Sequence, residues 1–311
     1  MKKTVFRTIM LLLALGIMMT VPAFCAQSSD PDFDEGLSLY YQKKWSESAS
    51  KFDQVSTKDP LNVMALSFYL AAAYRGNNML AAVNNVEQRA LDNGSSAEIK
   101  AQLGIAYFAR GKLDPNMLDE SLNQLKEALK ENPDLSNANT GMGMIYFYKR
   151  LIPRAKGYFI KAIKANDKDL MAMELLGNIL MIDEQKPDAA LEFFNKVIQQ
   201  APNYADGYFM AGSALQRMGK KQDAIERFQK CMELDPLGTM TGYDAPCRIG
   251  DIYLEDKNFS DAEKFYKKAL AINPENPYAQ TQLKKAQNKG KNWEGEKVDP
   301  IKEKLKLEDD K

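Results

Sequence analysis

Between about residue 29 and residue 290, apolar side chains recur three and four positions apart, the spacing that gathers them on one face of an α-helix. The segment from Tyr243 to Asn276 shows the pattern most plainly. Ile249, Gly250 and Tyr253 fall on one face of a first helix, and Ala262, Phe265, Tyr266 and Ala269 on one face of a second. Gly250, Ala262 and Ala269 are small enough to let the two backbones approach, and the aromatic rings fill the space beside them. Pro274 ends the second helix, because proline lacks an amide hydrogen and clashes with the preceding turn. One such pair cannot bury its apolar faces alone, so the pattern has to recur.

It recurs back to the start of the periodic region. Tyr208, Gly212, Leu215, Ala224, Phe228 and Pro236 repeat the spacing, preceded by Gly177, Leu180, Ala190, Phe194 and Pro202. Gly143, Tyr146, Ala155, Phe159 and Ala162 come before them, with Asp167 in place of the proline. Leu103, Gly104, Tyr107, Leu125, Ala128 and Pro133 form an earlier unit with a longer internal loop. Weaker units carry Ala71, Tyr74 and Ala90, and Gly36, Phe52 and Pro60. About seven units result, spanning 29–62, 64–96, 97–135, 136–169, 170–204, 205–242 and 243–276. A final helix at 277–290 has Tyr278 and Leu283 for packing and a polar back, the cap such an array requires. The tail 291–311 is dominated by charges of both signs and is expected to stay disordered.

The glycine three before a tyrosine, then alanine, an aromatic, alanine and proline, resembles the tetratricopeptide repeat pattern over nearly all of residues 27–290. The resemblance implies an all-α fold, a right-handed solenoid of helix–turn–helix units, and a concave surface lined by the first helices. The family's groove positions fall here on Phe33, Leu37, Tyr40, Phe68, Ile105, Phe108, Met144, Phe147, Met181 and Phe209. The first four units would then offer one continuous apolar, aromatic groove, and the last three a more polar and acidic one. A branch of the family clamps a chaperone's terminal carboxylate with a lysine and an asparagine in its first unit. Phe33 and Leu37 stand at those positions, and Asn178 is accompanied by Glu174, which would repel a carboxylate.

Composition removes several function classes. The sequence has no histidine, which excludes Ser-His-Asp and Cys-His catalysis and any histidine metal site. No phosphate-binding loop is present, since Ala109-Arg110-Gly111-Lys112 lacks the leading glycine and the preceding strand. No cofactor, metal or catalytic group is expected. Lys+Arg and Asp+Glu are both 42, and without Lys2, Lys3 and Arg7 the balance is 39 to 42, a net charge of −3. That is no footprint for nucleic acid.

Residues 1–26 join a basic start to a short apolar run closed by Pro22, the pattern of a secretory signal. Cleavage after Ala23 or Cys25 would give a periplasmic protein, and lipid attachment at Cys25 would give a lipoprotein held to a membrane. Cys231 and Cys247 could pair in an oxidising compartment or serve as small packing residues. The expected function is a non-catalytic scaffold of the bacterial cell envelope that binds a protein or peptide partner in its groove. By analogy of fold it would assist pilus, secretin or outer-membrane assembly. Self-association through the apolar groove is the other expectation.

Overall fold

The computed structural model describes residues 30–288 apart from 93–95, 112–113 and 115. The expected signal segment with Cys25 and the expected disordered tail lie outside the described residues. Fifteen α-helices follow one another with no strand among the described residues. They form seven antiparallel pairs: α1 (Pro31–Tyr41) with α2 (Trp45–Lys58), α3 (Val63–Arg75) with α4 (Met79–Asp92), α5 (Ala97–Gly111) with α6 (Met117–Glu131), α7 (Ser136–Tyr148) with α8 (Ile152–Ala165), α9 (Leu170–Ile182) with α10 (Pro187–Gln200), α11 (Ala205–Arg217) with α12 (Lys221–Leu234), and α13 (Ala245–Glu255) with α14 (Phe259–Ile272). A last helix, α15 (Pro277–Gln287), covers the end, and a short 3-10 turn, Thr241–Tyr243, precedes α13. The pairs stack as a right-handed solenoid. No described helix is long and apolar enough to cross a membrane.

The helix ends are written locally. Side chains of Asn62, Asp169, Asn258 and Asn276 accept hydrogen bonds from the amides of Ala65, Ala172, Asp261 and Ala279, which would otherwise be orphaned in a first turn. Most first helices stop on a residue in the left-handed region: Lys43, Asn77, Arg150, Gln185, Gly219 and Lys257. The amide that follows bonds back to the helix, as in Lys44 to Leu39 and Leu151 to Tyr146, and this closes the helix into a tight reversal.

Within a pair, a glycine of the first helix receives a large side chain of the second. A Cβ placed on Gly143 or Gly177 would stand 2.5 Å from the ring of Phe159 or Phe194. Gly36 meets Phe52, Gly212 meets Phe228 and Gly250 meets Tyr266 in the same way, while Gly104 meets Leu125. The second pair lacks both glycine and ring and is packed by the fully buried Val83 and Val86. In two pairs a serine adds a hydrogen bond at this seam, Ser48 Oγ donating to the Gly36 carbonyl at 3.0 Å and Ser121 Oγ to that of Gly104 at 2.6 Å.

The first helices are buried on more than one side, because each touches its partner, the next unit and the solenoid axis. The second helices bury one stripe; α6 buries only Ser121, Leu125 and Ala128. The coil is tight enough to touch itself across that axis. Tyr41 Oη, at the end of α1, accepts the Ala205 amide at the start of α11 at 2.9 Å. The ring of Phe68 in α3 meets Tyr204 edge-on at 5.8 Å between centroids. Arg75 donates to the Thr239 carbonyl at 3.5 Å while its guanidinium lies over the Trp45 ring. The first two units thus clasp the sixth.

Gly143→Ala should lower stability by about 1–3 kcal/mol, the usual cost of overpacking. Gly157→Ala, in α8 with nothing within 4 Å of the added carbon, should raise it by up to about 1 kcal/mol through helix propensity. Urea unfolding followed by circular dichroism separates the two; equal effects would place Gly143 off the seam.

Candidate functional site

The clasp divides the inner face. Part of it is a cleft of about 830 Å³ formed by α3, α5, α7 and α9. Ile105, Phe108, Met144 and Phe147 line it, joined by Leu70, Met79, Met171 and Leu175. Met144 and Phe147 are half-buried. Phe108 is only 3% exposed and is held edge-on by Tyr148 at 5.8 Å. Four of the ten residues expected along a groove therefore share one apolar cleft.

The others are placed differently, and the expectation of one continuous groove over the first four units is corrected. Leu37 is fully buried within the first unit. Phe33, Tyr40 and Phe68 form an aromatic cluster with Phe52, in which Phe33 and Tyr40 lie edge-on to Phe68 and the Phe52 ring stacks on it. Tyr204 closes that cluster from across the axis, so rings that would face an open groove become core. Phe33 also borders a smaller polar cavity of about 440 Å³. Met181, itself buried, and the half-buried Phe209 border a third cavity of about 590 Å³ with Glu174, Asp206, Arg217 and Arg248.

That third cavity carries the unusual electrostatics. Burial raises the Glu174 carboxyl to about 8, the neighbouring Asp206 adds to the rise, and the hydrogen bond from Tyr204 Oη at 2.8 Å opposes it. Burial likewise raises Asp206 to about 6, although Thr241 donates to it from both its amide and its hydroxyl. Asp169 stands at about 6 for the same reason, against hydrogen bonds from Thr140 and Ala172. Asp235, fully buried, takes three hydrogen bonds from Thr239 and Met240 and shapes the loop that meets Arg75.

Cys231 and Cys247 are free buried thiols, so of the two readings it is the packing one that describes them. Cys231 lies in the main core, whereas Cys247 packs with Ala269 and Ala279 at the last pair and the cap. Burial pushes both thiols up to about 12, where they are inert small apolar groups.

Sequence reasoning missed the clasp residues Tyr41, Arg75, Tyr204 and the Asp235–Met240 loop. The one signal was the longer connection after Pro236. Contacts between residues 164 positions apart leave no periodic mark.

Glu174 makes a pH prediction. Its folded value near 8 lies above its ordinary value near 4.5, so its contribution is full below about 4.5 and is lost as pH rises through 8. Glu174→Gln keeps an acceptor for Tyr204 and removes the charge. The unfolding midpoint of the native chain should fall more between pH 5 and pH 8 than that of the variant; parallel profiles would show that Glu174 is well solvated.

Tetratricopeptide repeat models match residues 33–98 and 140–205, 205–236 and 247–276. The human Tetratricopeptide repeat protein 6 is 27% identical over 164 residues, and Tetratricopeptide repeat protein 21B of Xenopus laevis is 23% identical over 241. Those matches span 51% and 76% of this chain but 30% and 17% of the relatives' own lengths. Among solved structures, YrrB, described as a TPR protein with an unusual peptide-binding site, superposes with a TM-score of 0.51 at 23% identity, covering 64% of this chain and 97% of YrrB. MamA gives a TM-score of 0.47 at 25% identity over 53% of this chain and 94% of its own. With repeat matches in its early, middle and last helix pairs and the stacked antiparallel helices they imply, the chain belongs to the tetratricopeptide repeat family.

Proposed function

We propose that the chain is a non-catalytic scaffold that holds a partner polypeptide in the apolar cleft between α3 and α9. The observation that carries this reading is the cleft itself, about 830 Å³ lined by Leu70, Phe108, Met144, Phe147 and Met171 and left open by the chain's own packing. Exposed apolar surface of this kind is costly in water and marks a partner site. Methionine and phenylalanine suit such a surface, the one adapting its shape and the other burying a large area. A partner side chain fully buried there gains about 1.5–3 kcal/mol, part of which is spent on association. The clasp supports the reading from the other side, because a scaffold tied across its axis presents a preformed cleft. The basic start and apolar run of residues 1–26 support export to the periplasmic side of a membrane, with Cys25 as the lipidation candidate.

Met144→Glu should abolish partner capture from envelope extract, a loss of about thirtyfold or more in affinity, with helical content unchanged. Phe147→Ala serves as the second variant should the first unfold. Capture that survives both in folded protein would move the site off the cleft. Intact mass of the envelope form should lack residues 1–23 or 1–25, or residues 1–24 with added acyl mass on a retained Cys25 if it is lipidated; a full-length mass would refute export by cleavage.

A further inference from the structure

The cleft's chemistry narrows its occupant, given that the cleft is the partner site. Its mouth is aromatic and exposed: Tyr74 is 55% and Tyr148 50% accessible. Among the lining residues Arg150 is the one charged side chain. Neither Arg150 nor its neighbour Lys149 shows an ion pair among the described residues, and both are exposed. No carboxylate lines the cleft, in contrast to the neighbouring cavity with Glu174 and Asp206.

The backbone of Arg150 is fixed at the turn that ends α7. It sits in the left-handed region at φ 59°, with its own amide bonded to the Phe147 carbonyl at 3.0 Å and the Leu151 amide to that of Tyr146 at 2.9 Å. An acid-free apolar lining with one arginine at its edge is complementary to an apolar segment that carries a carboxylate.

We propose that the cleft seats a peptide segment that combines large apolar side chains with a neighbouring aspartate or glutamate. The apolar side chains enter beside Met144 and Phe147, and the acidic side chain pairs with Arg150. Arg150 is preferred to a lysine here because its planar fork can hold a carboxylate through two hydrogen bonds.

A random peptide library displayed on phage, panned on the intact chain and on Arg150→Glu, tests this. The native chain should enrich sequences with two or more large apolar residues flanked by Asp or Glu, and Arg150→Glu should shift the flank toward Lys or Arg. By fluorescence polarisation the leading acidic peptide should bind Arg150→Glu about tenfold more weakly and recover in part on Arg150→Lys. Arg150 is exposed, so these variants leave the core untouched. Apolar peptides without an acidic residue, indifferent to Arg150→Glu but lost on Met144→Glu, would overturn this proposal and leave the cleft as the partner site. Peptides indifferent to Met144→Glu, or no enrichment at all, would overturn both. Binding of dodecanoate without peptide enrichment, or a dimer that Met144→Glu dissociates, would assign the cleft to a lipid or to a second copy and overturn the proposal.

Discussion

In five of the seven units the distance between the two helices depends on one contact, a glycine on the first helix facing a ring on the second. Gly36, Gly143, Gly177, Gly212 and Gly250 each leave room for an aromatic side chain that a methyl group would displace. Phe52, Phe159, Phe194, Phe228 and Tyr266 are all fully buried as a result. A ring in that seat is a wedge of fixed size, so these five pairs have nearly the same geometry. Stacking equal pairs then gives a regular superhelix, since each unit touches chiefly its neighbours.

The regularity has a consequence that no single unit contains. The coil returns on itself, and the inner helices of the first two units meet the sixth. Three chemically different contacts make the junction: the Tyr41 hydroxyl caps α11, the Phe68 ring packs on Tyr204, and Arg75 reaches the Thr239 carbonyl. The longer connection after α12 makes the last of these possible, because Asp235 gathers the amides of Thr239 and Met240 and turns the chain inward. Asn137 adds a polar staple within the stack, donating to the carbonyls of Pro60 and Glu98 from a fully buried position. A buried amide bonded in this way is specific, since any slip between units leaves it unpaired.

What was legible in the sequence follows from this division. The helix pairs, the glycine seam and the cap were readable because they depend on residues three, four or about twenty positions apart, which the repeat displays over and over. Four positions of the cleft's lining were readable for the same reason: Ile105 and Met144, and Phe108 and Phe147, occupy equivalent positions in adjacent units and share a cleft. Phe33, Tyr40 and Phe68 occupy those positions too, yet they are core. Their fate is decided by Tyr204, a residue outside their local frame. Periodicity predicts which side of a helix points toward the axis; it carries no information on whether the axis is empty. The cysteines illustrate the same limit, because both read as small apolar positions and only the fold shows that they belong to separate clusters.

Closure also explains why the inner surface is chemically split. Glu174 and Asp206 sit beside the junction, where burial raises both carboxyls and Thr241 and Tyr204 supply hydrogen bonds. Carboxyls held toward their neutral forms can remain close to one another, which two full charges in that space would not. On the other side of the junction, among the described residues, the cleft is lined by no acid and has one cation, Arg150, without an ion pair at its mouth. A ligand approaching the inner face thus meets two environments of opposite preference within one channel. The clasp that removed three aromatic positions from the surface also keeps the remaining apolar cleft clear of the buried carboxyls.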